Sequence, residues 1–187
     1  MDKQAEYEAL REEILYSMQV VKNYRSLLYT IVVAALAFAF DKDESILFLV
    51  PFSAIIPIYL LAMHQIDSTM RIGAYIYVFL EPETDCKWET RLLKYDQMHK
   101  KQYSTKKTSI DAYWCVSIGC LLLSVIRLDY ANINLMFYVT IILQILILII
   151  CSYLFIKKRP DYAVAKEKYI NEWLEIRKIE KDSSSKI

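Results

Sequence analysis

The longest apolar stretch of the chain is Leu135–Ile156, LMFYVTIILQILILIICSYLFI, which runs for 22 residues without a charged side chain. About 20 apolar residues are enough for an α-helix to cross the hydrocarbon core of a bilayer. The 187 residues include only two glycines and four prolines, a composition that favours long helices over a turn-rich sheet. The stretch therefore predicts a transmembrane helix within an all-helical protein.

Three further windows nearly lack charge and precede this one along the chain. Ile46–Ile66 has 21 residues, and Ala112–Ile126 reaches span length if it is extended to Ile110–Leu128. Ser26–Phe40 has 15 residues and spans only if the Arg25 side chain reaches back to the interface; a buried core helix is the alternative. We predict an all-α membrane protein with four transmembrane helices in two hairpins.

The segments outside the spans carry apolar residues at the three-and-four spacing of amphipathic helices, so they are expected to form helical extensions that pack into a cap. The predicted organisation is a helix at 1–24, a first transmembrane hairpin at 25–66, a central helical segment at 67–109, a second hairpin at 110–156, and a C-terminal helix and tail at 157–187.

Positive charge is distributed very unevenly between the two sides of the predicted spans. The two short connections hold only Lys42 and Arg127, whereas the other 21 lysines and arginines lie in the two terminal segments and the central segment. The positive-inside rule then places both termini and the central segment in the cytoplasm. Basic clusters next to the spans are assigned to the anionic lipid surface; they are Lys100–Lys101, Lys106–Lys107 and Lys157–Arg159.

No catalytic or metal-binding motif is found. His64 and His99 lie far apart, the four cysteines lack zinc-type spacing, and neither a P-loop nor a GxGxxG motif occurs. We therefore expect no enzymatic activity, no metal and no cofactor.

Uncharged polar residues recur on one face of each of the last two predicted spans. They are Thr140, Gln144 and Cys151 on the fourth, and Ser117 and Ser124 on the third. These side chains are candidates to line a pore. The alternative is interhelical hydrogen bonding, for which membrane helices commonly use such residues.

Cations and aromatic residues alternate in the segment that follows the second span. Arginine beside aromatic rings suits phosphates and stacked bases. These residues are predicted to lie deep in the cap, where they form either a ligand site or a packed ion-pair interior with Glu81 and Glu89. The candidate ligand-binding residues are Arg71, Tyr75, Trp88, Arg91 and Lys94.

The stretch RIGAYIYVFLE, residues 71–81, followed by Trp88 and Glu89, resembles small four-span bacterial anti-phage membrane effectors of the SLATT-like group. Within that group it looks most like the channel effectors of the Hailong defence system. The residues that carry the resemblance are Arg71, Gly73, Tyr75, Glu81, Trp88 and Glu89.

The resemblance implies a homo-oligomeric ion channel of the cell inner membrane, with a tetramer favoured. Its cytoplasmic cap would respond to a nucleotide or a short single-stranded DNA made by a partner nucleotidyltransferase. Opening would depolarise the cell and arrest growth, as in abortive infection. The alternative function is a non-conducting membrane scaffold whose cytoplasmic helices recruit a partner protein.

Replacing Asp43 by cysteine tests the predicted orientation, because position 43 lies in the first short connection. We expect a membrane-impermeant maleimide to label this variant from outside intact cells. The wild-type chain measures background labelling. Modification that occurs only from the inside would reverse the topology.

Overall fold

The computed structural model describes residues 3–42, 44–98, 106–131, 133–157 and 162–184, without the side chains of 96, 97, 106–111, 156, 157, 162–164 and 184. Over these residues the chain is helical, with no strand. The predicted all-helical class is therefore confirmed. His99, Lys100–Lys101 and position 43 lie outside the described residues, as do the side chains of Lys106–Lys107 and Lys157–Arg159.

The first helix, α1, runs from Lys3 to Lys42 as one element of 40 residues. It joins the predicted N-terminal helix and the first predicted span without a break. Neither glycine nor proline occurs between its ends, so nothing in this segment interrupts the backbone hydrogen bonds of a helix. At 1.5 Å per residue its length is about 60 Å.

The helical segment between Ser45 and Leu80 is not a uniform α-helix. A 3₁₀ turn covers Ser45–Leu49, α2 covers Phe52–Tyr75, and a π-helical turn covers Ile76–Leu80. Pro51 has no N–H to donate and stands directly before α2, a position where a helix tolerates proline. The π turn is closed by the Glu81 N–H, which donates to the Ile76 carbonyl at 2.9 Å.

The remaining elements are also helical. The side chain of Asn134 caps the helix that begins at Leu135, because it accepts the Phe137 N–H at 3.0 Å. These elements are α3 at Trp88–Met98, α4 at Lys106–Ile126, α5 at Leu135–Ser152, a π turn at Tyr153–Lys157, and α6 at Tyr162–Ser184.

Among the residues that the structure describes, three helical segments are long and apolar enough to cross a membrane: Lys3–Lys42, Ser45–Leu80 and Leu135–Phe155. Ala112–Ile126 is also apolar but shorter over the residues with described side chains. These segments indicate a membrane protein.

The described residues fall into two compact units. Unit 1 contains those within Met1–Val21, Met63–Lys106 and Pro160–Ile187. Unit 2 contains those within Lys22–Ala62 and Lys107–Arg159. Both α1 and α2 contribute one part of their length to each unit.

Aromatic packing around Tyr59 holds unit 2 together. Its hydroxyl donates to the Leu154 carbonyl at 3.2 Å, and its ring meets Tyr113 and Phe155 edge-on, with centroid distances of 5.3 and 4.6 Å. All three rings are buried. The cluster therefore joins α2, α4 and the π turn after α5, with the one polar group of Tyr59 hydrogen-bonded.

Unit 1 is built on the apolar stripe at the start of α1. Tyr7, Ile76 and Leu80 form its buried core, and Leu10 and Ile14 pack against them. The three-and-four spacing of the α1 residues places them on one side of the helix. That side covers the apolar residues around the first π turn.

Helix α6 is fastened to α2 and its π turn by three side chains spaced four residues apart. Tyr169 donates to Asp67 at 2.7 Å, and Trp173 donates to the Arg71 carbonyl at 3.2 Å. One turn further on, Arg177 donates to the Val78 carbonyl at 2.8 Å. This spacing puts all three donors on one face of α6.

The start of α3 is fixed by a buried carboxylate. Glu81 is 1% exposed, and it accepts hydrogen bonds from the Glu89 and Thr90 N–H groups at 2.5 and 3.0 Å and from the Thr90 hydroxyl at 2.5 Å. The first N–H groups of a helix have no partner inside that helix, and its N-terminus attracts negative charge. Glu81 therefore caps α3 from seven residues before it begins.

A second buried carboxylate, Glu89, forms an ion pair with Lys166 at 2.5 Å. It lies against Gly73, where an added Cβ would stand 3.4 Å from the carboxylate. A side chain larger than alanine at position 73 would therefore compete with Glu89 for space. The pair joins α6 to the first turn of α3.

Replacing Glu81 by alanine tests this cap. The change removes the acceptor for two backbone N–H groups, a loss that typically costs about 1–2 kcal/mol. We therefore expect amide hydrogen exchange across residues 88–98 to accelerate by roughly 5–30-fold, measured by mass spectrometry in detergent. The control is Glu172→Ala, which removes only an exposed ion pair with Lys168. Unchanged exchange in α3 would contradict the capping role.

Candidate ligand-binding site

Unit 1 contains a cavity of about 270 Å³ on the surface that α1, α2 and α6 share. Its lining is mainly apolar and aromatic, with one acid and one base. The lining residues are Glu6, Leu10, Arg71, Ile72, Tyr75 and Trp173.

Hydrogen bonding and ring contacts hold the aromatic wall of the cavity in place. The Tyr75 hydroxyl donates to the Glu6 carboxylate at 2.7 Å. The Tyr75 ring stacks on Phe79 at 5.0 Å and meets Trp173 edge-on at 5.3 Å. Since each ring has a neighbour that restricts its rotation, the wall is set before any ligand arrives.

Arg71 is the one cation among the residues that line this cavity. Its backbone carbonyl accepts the Trp173 indole N–H, while its side chain is exposed. The carboxylate of Glu6 already accepts the Tyr75 hydroxyl. The cavity thus combines a solvent-exposed guanidinium with aromatic surfaces, an arrangement that suits a planar or anionic group.

The structure separates the five predicted ligand-binding residues into two sets. Arg71 and Tyr75 line the same cavity. Trp88, Arg91 and Lys94 lie on α3 and are exposed; none of them lines this cavity. The guanidinium of Arg11 lies over the Trp88 ring, 5.0 Å from its centroid.

The expectation that the three cations lie deep in the cap is wrong, because Arg71, Arg91 and Lys94 are all exposed. The buried polar positions of unit 1 belong instead to Glu81 and Glu89. Backbone N–H groups of α3 satisfy Glu81, and Lys166 pairs with Glu89, so the two acids need no arginine. The predicted ion-pair alternative therefore has the expected acids but a different base.

Sequence reasoning did not identify Glu6 and Trp173 as site residues. Trp173 belongs to the apolar stripe of α6, and that spacing signals packing just as well as binding. Glu6 is one of several acids near the N-terminus. Glu6 is separated from Tyr75 by 69 positions in the sequence, and Trp173 by 98 positions. No local sequence pattern predicts contacts over such separations.

Two tyrosines of unit 1 have strongly perturbed hydroxyls. Burial and the hydrogen bond to Glu6 raise the pKa of Tyr75 from 10.0 to about 12. The hydrogen bond to Asp67, followed by burial, raises the pKa of Tyr169 to about 12. In both cases a carboxylate acceptor favours the protonated phenol.

The predicted pore-lining residues are enclosed within unit 2. The Gln144 amide donates to the Ser124 hydroxyl at 2.9 Å, and that hydroxyl donates to the Ser45 carbonyl at 2.8 Å. The Thr140 hydroxyl donates to the carbonyl of Met136, one turn earlier in α5. For these residues the structure provides the interhelical and intrahelical hydrogen bonds of the packing alternative.

Ser117 and Cys151, the other two candidates, are also buried, and the Ser117 hydroxyl has no hydrogen-bond partner among the described residues. In a single chain, all five candidates are thus buried, and Thr140 also lines a cavity of unit 2. Their assignment as pore lining stays a prediction, and it now requires a path inside the protomer or a change in helix packing.

No family model, curated protein or solved structure matches this chain.

The perturbed tyrosines can be followed by NMR of chains carrying ¹³C at the tyrosine ζ position. Because the pKa of Tyr75 in the folded chain exceeds 10.0, its hydrogen bond stabilises unit 1 fully below pH 10, and this contribution is lost as the pH rises through about 12. We expect the signals removed by Tyr75→Phe and by Tyr169→Phe to remain those of protonated phenol at pH 11. Titration of either signal near pH 10 would contradict the hydrogen bonds of these hydroxyls to Glu6 and Asp67.

Proposed function

We propose that this chain is a membrane channel that assembles from several copies and is gated by a ligand bound to unit 1. In this proposal the chain crosses the inner membrane four times in two hairpins, and unit 1 forms a cytoplasmic cap. The ligand is a nucleotide or a short single-stranded DNA, supplied by a partner nucleotidyltransferase. Channel opening depolarises the cell and arrests growth during phage infection.

The observation that carries this proposal is where the cavity is built. Five of its six lining residues belong to α1 and α2, the same two helices that supply apolar segments long enough to span a bilayer. A ligand that contacts Arg71 and Tyr75 therefore acts directly on α2. Binding can bias an open or a closed state if the ligand prefers one arrangement of these helices.

Assembly from several copies is supported by a face of α1 that the described part of the chain leaves uncovered. Ser26, Thr30, Ala34 and Ala37 recur at intervals of three or four residues, and all four are exposed. Small residues at this spacing allow two membrane helices to approach closely. Val33, three residues after Thr30 and four before Ala37, lies on the same side of α1, so this side combines small residues with one branched apolar side chain.

A specific observation also favours the alternative function, a non-conducting scaffold. Trp88, Leu92 and Tyr95 form an exposed stripe along α3. Large apolar side chains in a stripe commonly mark a surface for another protein. If the chain is a scaffold, α3 binds a partner protein, and the cavity of unit 1 binds no ligand.

Ion flux from liposomes containing the purified protein distinguishes the two functions. We expect labelled short single-stranded DNA to bind the protein and to change the flux. Arg71→Ala should weaken binding about tenfold or more, because a hydrogen bond to a charged group contributes about 1.5–3 kcal/mol. Absence of flux both with and without the DNA would reject the channel.

Two further variants locate the ligand. Lys168→Ala is the matched control, because Lys168 is an exposed cation of unit 1 that does not line the cavity; this variant should bind as the wild type does. Arg91→Ala examines α3. Weaker binding by Arg91→Ala, with Arg71→Ala unaffected, would move the site from the cavity to α3.

A further inference from the structure

Unit 2 has a cavity of its own, at the end formed by the two short connections. Its volume is about 300 Å³, compared with roughly 30 Å³ for one molecule of liquid water. It opens between the 3₁₀ turn, the end of α4 and the start of α5. The residues that line it and carry the argument are Glu44, Ser45, Arg127, Asp129 and Thr140.

The rim of the cavity is charged. Glu44, Arg127 and Asp129 are exposed lining residues, so the charges among the described lining residues sum to one negative. Arg127 extends over the Phe40 ring, 5.7 Å from its centroid. One Asp129 oxygen accepts the Ala131 N–H at 3.0 Å. Charged groups of this kind remain hydrated, and a negative rim attracts cations.

The inner end of the cavity is polar as well. Thr140, five residues after the first residue of α5, lies about 7.5 Å from it along the helix. The Ser45 carbonyl accepts the Ser124 hydroxyl, which in turn accepts the Gln144 amide. Hydrogen bonds therefore connect Ser45, a lining residue, to Ser124 and Gln144, which stand behind the described lining of the cavity.

We propose that this cavity is a water-filled vestibule of the single chain, which admits water and favours small cations as far as Thr140. An apolar cavity of this size would stay dry, but polar groups at its rim and inner end give water the partners it needs. The vestibule lies inside one chain, so it requires neither a ligand on unit 1 nor contact between copies. Its test is therefore independent of the proposed channel activity.

Cysteine accessibility in liposomes tests the vestibule. In a chain whose native cysteines are replaced, Thr140→Cys should react with the cationic reagent MTSET, applied to each side of the membrane in turn. The matched control is Ile142→Cys, two residues further along α5, where the side chain is 64% exposed on the surface of the chain. Facing lipid, the control should react at least tenfold more slowly, since these reagents attack thiolate in water.

The proposed preference of the vestibule for cations is measured by comparing a cationic reagent with an anionic one. Thr140→Cys should react faster with MTSET than with the anionic MTSES, relative to free cysteine. Neutralising the rim with Glu44→Gln and Asp129→Asn should lower this ratio about threefold or more at low ionic strength. Asparagine at 129 keeps an oxygen that can accept the Ala131 N–H, so the turn is preserved.

Three results would overturn the proposal. Thr140→Cys and Ile142→Cys could be equally unreactive, or they could react equally fast; either result excludes a local vestibule. A reagent ratio unchanged by rim neutralisation excludes the preference for cations. If Thr140→Cys fails to elute like the wild type, Ser45→Cys reports on the same cavity with the same control.

Discussion

The hydrogen bonding of Glu81 is the interaction on which unit 1 depends. A carboxylate with 1% exposure is costly unless donors surround it, and the first N–H groups of α3 supply them. These hydrogen bonds fix the position at which α3 begins after the π turn that follows α2. They also place Glu89 where Lys166 and Gly73 meet it, which connects α6 to the same turn. One buried acid thus joins the end of the π turn after α2 to the start of α3 and, through the position of Glu89, to α6.

Polar groups have different partners around the cavity of unit 1 and around the cavity of unit 2. In unit 1 aromatic rings lock one another, and a single arginine remains exposed beside them. In unit 2 polar side chains are hydrogen-bonded in series, Gln144 to Ser124 and Ser124 to Ser45. The first arrangement presents a surface to a solute, whereas the second lowers the cost of polarity among apolar helices.

Much of the fold could be predicted from the sequence, because uncharged windows of span length have few structural solutions. The apolar windows, the helical extensions and the stripes of α1 and α6 are all local patterns. Places where the α-helical hydrogen-bond pattern changes to a 3₁₀ or π turn are harder to predict. The π turn at Ile76–Leu80 contains only apolar and aromatic residues, with no proline or glycine to mark it.

The candidate site was predicted less well than the fold. Arg71 and Tyr75 are four residues apart on one helix, so their proximity follows from helix geometry. Arg91 and Lys94 lie beyond the turn at Glu81, and their distance from the cavity depends on the direction that α3 takes. That direction is set by buried acids whose donors are backbone groups, which a sequence pattern does not reveal. The composition of α1 also has a consequence for its shape: without a proline or a glycine between its ends, the helix has no position at which its sequence favours a sharp kink.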